Sequence, residues 1–158
     1  MFRQLSRQKQ ALTPQECQQL LMHEKRGVLC VNGDDGYPYG MPMNHLYCPE
    51  EGCLYFHCGK KGHRLDALHR SAKASFCVCE QGTATPGDWA LQVRSVVAFG
   101  RVEVIAQENT VVEVTARLSR KFTSDEEYIR REILQSGKDT LLLKFTVEHL
   151  CGKRVREA

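Results

Sequence analysis

The 158-residue sequence has no apolar run long enough to cross a bilayer, no Cys-x-x-Cys pair, no Gly-x-x-x-x-Gly-Lys-Ser/Thr loop and only one tryptophan, Trp89. Each absence excludes a class. A helical membrane protein needs about 20 consecutive apolar residues. A structural zinc module usually brings closely spaced cysteine pairs. A nucleoside triphosphate loop needs its glycines, lysine and hydroxyl in fixed order. Residues 1–10 are polar and lack the apolar stretch of a secretion signal, so a cytoplasmic location is expected. Excess charge of one sign is also missing: 22 basic against 19 acidic residues leave a net +3, and the two signs are mixed along the chain. That balance argues for neither a nucleic-acid nor a membrane partner. No internal repeat or linker stands out, and a single domain over 1–158 is expected, long enough to bury roughly two thirds of its unfolded surface.

Cysteine, by contrast, is plentiful: Cys17, Cys30, Cys48, Cys53, Cys58, Cys77, Cys79 and Cys151. Without signs of secretion these read as reduced thiols that pack as small apolar residues. Thr13 and Glu16 flank Pro14 in a capping-box pattern and start a helix over 13–26, with Gly27 as its stop. Strands are expected over 28–31, 37–47, 53–58 and 74–80, and a long one over 91–105 bent at Gly100. Turn formers at 32–36, 49–52 and 59–62 separate the early strands, and a short helix runs from Leu65 to about Ser71. Helices over 109–120 and after a Ser124/Glu127 capping box precede a last strand over 140–150. Strands joined by short turns with few helices between them predict a mainly β fold, an antiparallel barrel with flanking helices.

Chemistry concentrates in three stretches. Residues 57–64 place His57, Lys60, Lys61, His63 and Arg64 where a strand passes through Gly59 and Gly62 into a helix. Glycines let backbone N–H groups approach an anion, and cationic side chains supply the charge that a phosphate monoester needs. A solvated basic turn would have the same composition. Pro42, within Met41-Pro42-Met43-Asn44-His45, removes a backbone donor and so favours an edge strand. Free backbone groups there, with the Asn44 amide, suit one side of a flat heteroaromatic ring; an ordinary edge strand with Met41 and Met43 in the core is the alternative. In the third stretch, Ser95 lies in an otherwise apolar strand and Trp89 follows a Gly/Pro loop. Each could meet a ligand, a neighbouring strand or a subunit contact. No side chain makes a convincing general acid, and His45 is the only one to weigh.

These stretches together resemble the FMN-binding split-barrel proteins of the pyridoxamine-5′-phosphate-oxidase-like family, in its nitroimidazole-reductase-like branch. The matching pieces are Pro42-Met43-Asn44, Leu54-Tyr55-Phe56-His57, the turn from Gly59 to Arg64, Asp66-Ala67-Leu68, Asp88-Trp89 and Arg94-Ser95-Val96 with Phe99-Gly100, in that order. The resemblance implies a split β-barrel homodimer with FMN at the interface. His57, Lys60, Lys61, His63 and Arg64 would surround the phosphate and ribityl chain, Pro42, Met43 and Asn44 would line the ring, and Trp89 and Ser95 would come from the partner subunit. Where many relatives carry Arg-Lys, this chain has His63-Arg64, which would make phosphate affinity depend on pH. The implied activity is an oxidoreductase passing electrons through FMN to a small acceptor, with nitroaromatics among the candidates. A flavin- or haem-binding protein without turnover, with His63 or His57 as axial ligand, is the alternative. A metal module of Cys48, Cys53, Cys58 and His63 with Cys77-x-Cys79 is disfavoured, because residues five apart on a strand face opposite sides.

Overall fold

Residues 1–157 of the chain are described by a computed structural model. Helix α1 (Pro14–His23) starts on the expected capping box, in which the Thr13 hydroxyl accepts from the Glu16 N–H at 3.2 Å and the Glu16 carboxylate accepts from the Thr13 N–H at 2.8 Å. It stops at His23 rather than near Arg26, and Gly27 lies inside strand β1 (Arg26–Asn32). Gly27 is therefore no helix stop. A Cβ there would come within 2.5 Å of the Cys77 carbonyl oxygen and the Phe76 ring, so the residue allows two strands and an aromatic ring to pack closely.

The remaining elements follow the alternation of the sequence. They are β2 (Pro38–Asn44), β3 (Leu46–Cys48), β4 (Cys53–Gly59), α2 (His63–Arg70), β5 (Lys73–Cys79), the two-residue β6 (Thr83–Ala84), β7 (Leu91–Ile105), α3 (Glu108–Ser119), α4 (Glu126–Ser136) and β8 (Thr140–Glu157). The expected strand over 37–47 divides at His45, whose side chain turns into the interior. The last strand continues to Glu157, past the expected end at 150. Asp125, not Ser124, caps α4 by accepting from the Tyr128 N–H at 2.9 Å.

All pairings are antiparallel, in the order β2-β1-β5-β7-β8-β4-β3, with β6 added beside β7. The ladder between β7 and β8 shifts register between Phe99 and Gly100, where a Cβ on Gly100 would lie 2.0 Å from the Thr146 carbonyl oxygen. Glycine is required at that bend, and the bulge increases the local curl of the sheet. The curl brings edge strand β2 towards β4 and leaves a seam between them. Inside the half-barrel, Phe56 stands edge-on to Phe76 and Phe145, with centroid separations of 4.9 Å and 6.5 Å. Rings of this size dominate core energetics through buried area. On the opposite face of β4 and β8, α3 covers a smaller core of Cys48, Cys53, Tyr55, Val111, Val114 and Leu142. Among the described residues, no helix is long and apolar enough to cross a membrane.

Candidate functional site

The seam contains the candidate site. Arg26 at the start of β1, Pro42, Met43 and Asn44 at the end of β2, His57 on β4 and Arg64 in the first turn of α2 line one pocket of about 400 Å³. Strand β2 pairs only with β1, so Pro42 occupies the edge position that its missing N–H favours. Antiparallel register sets Arg26 opposite Asn44, and the Arg26 Nε donates to the Asn44 Oδ1 at 2.8 Å. That bond orients the amide. Met43 points inward and accepts from the Arg64 Nη1 at 2.5 Å.

The Arg64 Nε is shut off from solvent and finds no hydrogen-bond partner among the described residues. A guanidinium N–H in that state carries a desolvation penalty that an acceptor would relieve. His57 extends into the pocket from the face of β4 opposite Phe56. Desolvation first, and the neighbouring Arg64 charge second, lower its pKa below the ordinary imidazole value, so the ring is neutral at pH 7. Two guanidiniums, one neutral imidazole, one oriented amide and no carboxylate line this space. Such a lining accepts an anion or a flat polar ring, not a cation.

Five of the ten residues singled out from the sequence (Pro42, Met43, Asn44, His57 and Arg64) are brought together here. Lys60 and Lys61 are exposed on the adjoining turn, and neither is engaged in an ion pair among the described residues. Gly62 has φ 125°, which lets the chain enter α2 directly from that turn. His63 instead stacks on Tyr39 at 4.2 Å and faces the Asp34 carboxylate at 3.2 Å. Trp89 is 80% exposed on the loop before β7. Ser95 faces outward on β7, three strands from β2, a separation of roughly 14 Å at the usual strand spacing. Neither lines the seam pocket of its own chain.

Two alternatives weighed in the sequence take other places in the fold. His45 is fully buried, its Nε2 lies 2.7 Å from the Leu21 carbonyl oxygen, and burial lowers it to about 4; it faces no ligand space and cannot serve as a general acid. Cys58 belongs to the main core, whereas Cys48 and Cys53 lie under α3, so this set converges on no common point. Among Cys48, Glu50 and Glu51 the ligand atoms do approach one another, but the Arg117 guanidinium already contacts all three. Sequence reasoning missed Arg26. It stands in no motif, and only its cross-strand register with Asn44 reveals it.

A curled antiparallel sheet with an open seam, flanked by helices and holding a polar pocket between its two margins, defines a split β-barrel. The family model described as pyridoxamine 5′-phosphate oxidase matches residues 13–154, and the chain belongs to that family. Among solved structures, a candidate 5-nitroimidazole antibiotic resistance protein from Bacteroides thetaiotaomicron is 18% identical, with a TM-score of 0.75 over 93% of this chain and 87% of that one. A conserved hypothetical protein from Mycobacterium tuberculosis is 16% identical, with a TM-score of 0.78 over 96% of this chain and 89% of the other. An FAD and heme binding protein from Mycobacterium smegmatis is 20% identical, with a TM-score of 0.70 over 92% of this chain and 72% of its own. At these identities the likeness establishes the fold. No curated protein matches the sequence.

Proposed function

We propose that the chain is a flavoprotein that binds FMN at the barrel seam and passes electrons from a reduced donor to a small acceptor. The observation that carries this reading is the unpartnered Arg64 Nε beside Arg26, in a pocket free of carboxylates, next to a turn bearing Lys60 and Lys61. The cations of the turn and Arg64 would hold the phosphate, and Pro42, Met43 and Asn44 would lie along the ring edge. When bound, FMN supplies the electron chemistry, and the protein's part is to orient it and stabilise negative charge on the reduced ring. The nitroimidazole resistance protein among the structural neighbours makes nitroaromatic compounds one acceptor class to try.

A homodimer belongs to the same proposal. Val28, Cys30, Cys77, Val97, Phe99 and Cys151 share the outer face of the β1-β5-β7-β8 sheet, none of them fully buried. A second copy laid on this face would cover that apolar surface and bring its own Ser95 and Trp89 towards the seam. We place the working protein in the cytoplasm, with no nucleic-acid or membrane partner.

Haem is the second reading, because a structural neighbour binds both FAD and heme. With His63 engaged by Tyr39 and Asp34, His57 is the remaining axial candidate near the seam. The absorbance spectrum of freshly purified protein tests both readings. Two broad flavin bands are expected, and mass analysis of the released chromophore should give FMN; a Soret band would support haem, the mass of FAD would displace FMN, and a colourless protein that takes up no added FMN would end the flavin reading. Light scattering at micromolar concentration should give twice the mass of one chain, and a monomer would remove the shared-site arrangement.

A further inference from the structure

Beside the seam lies a second chamber of about 340 Å³, between α3 and α4, which shares Asn44 and His57 with the first pocket. Its walls are mostly apolar: Val111, Leu118, Phe122, Ile129 and Ile133 come from the two helices and their connection. The chamber thus opens directly onto the space assigned above to the cofactor ring. Its size is at the lower end of that found for small-molecule sites.

The two spaces differ sharply in charge. Arg26 and Arg64 line the seam, whereas no lysine or arginine lines the chamber, and its one carboxylate is Glu132. His57, shared by both, adds no charge at neutral pH because desolvation and Arg64 lower its pKa. A carboxylate or phosphate entering the chamber would lose its hydration, meet Glu132 and gain no cation. One polar group there is unsatisfied. The Thr115 Oγ1 on α3 is closed to solvent and has no hydrogen-bond partner among the described residues, although a helical threonine commonly back-bonds to the carbonyl one turn earlier. That hydroxyl is free to donate to an oxygen of a guest.

We infer that this chamber is the site for the cofactor's small-molecule partner, and that it selects uncharged aromatic compounds bearing an acceptor oxygen over anionic ones of the same shape. The inference rests on the flavin reading for the word partner, but not for binding itself. Anions are assigned to the seam and neutral rings to the chamber.

The test uses 4-nitrobenzamide and 4-nitrobenzoate, which differ in charge but hardly in shape, titrated calorimetrically into the full chain with and without FMN. The amide should bind at least about tenfold more tightly than the benzoate, a factor equal to about 1.4 kcal/mol. Thr115→Val, close in shape, should weaken the amide by about three- to tenfold, the range for one lost hydrogen bond. Ile133→Trp should fill the chamber and abolish amide binding while FMN still titrates, with Ile133→Phe as the milder version if the larger ring prevents folding. Equal affinity for amide and benzoate, or amide binding unaffected by a substitution at 133 in folded protein, would overturn the proposal. If the amide binds the apoprotein as described but FMN does not bind, the chamber stands and the flavin reading fails.

Discussion

Asn44 and His45 are adjacent in the chain and belong to opposite kinds of environment. Asn44 lines the seam with Arg26, Arg64 and His57, where guanidinium and imidazole nitrogens face open space or lack partners. His45 turns the other way, into a closed knot: its Nε2 meets the Leu21 carbonyl, its Nδ1 is left without a hydrogen-bond partner among the described residues, and Lys121 donates to the carbonyl oxygens of Glu24 and His45 at 2.8 Å and 3.0 Å. Each environment leaves one buried nitrogen unsatisfied, the His45 Nδ1 and the Arg64 Nε, so a missing partner alone does not tell them apart. Only Arg64 lines a pocket, where an acceptor can arrive from solution.

The largest expected effect would break the closed half of this comparison with acid. Burial, aided by the Lys121 charge, holds His45 at about 4 against an ordinary 6.5, so the native state keeps the ring neutral while the unfolded chain protonates it. Stability tied to this group is therefore complete above pH 6.5 and is lost as pH falls towards 4, by about 3 kcal/mol in all. Urea unfolding followed from pH 7 to pH 4 measures it, and a flat profile over that window would remove His45 from the knot. Next in size is Lys121→Met, which strands two carbonyl oxygens and should cost about 2 kcal/mol at pH 7. It should also shrink the acid loss, because the charge that helps keep His45 neutral is gone.

Substitutions in the open half should act on the ligand instead. Arg64→Ala is expected to weaken FMN binding by about ten- to thirtyfold, as for a lost charge-assisted contact, with the urea midpoint nearly unchanged. A large loss of stability with unaltered FMN affinity would make Arg64 a structural residue. The smallest effect is expected at His63, whose ring faces Tyr39 and Asp34 and not the pocket. His63→Ala should change FMN affinity in a fluorescence titration by less than about threefold, under about 1 kcal/mol, since the ring does not line the pocket; a larger loss would return His63 to the site.

How much was legible beforehand depends on the range of each interaction. The Thr13/Glu16 capping box, the Gly100 bend and the edge character of Pro42 all depend on local backbone chemistry, and each was readable from a few neighbouring residues. The split at His45 was not, because the alternation over 37–47 runs through it unchanged; what turns the imidazole inward is a helix carbonyl 24 residues earlier. Gly27 misled for a related reason, since its role is set by Cys77 and Phe76 on a strand far along the chain. The basic turn and the Pro-Met-Asn stretch stood out in the sequence as candidates to meet a ligand, but Arg26 and the chamber under α3 and α4 did not.

The sequence alone determined the antiparallel class, the positions of its turns and which residue types could meet an anion, because turn chemistry and alternation act over a few residues. Only the folded chain decided which cations remain without partners. That depends on register and curl, which set Arg26 against Asn44 and Arg64 against Met43, and removed His63 to Tyr39, through contacts between segments distant in sequence.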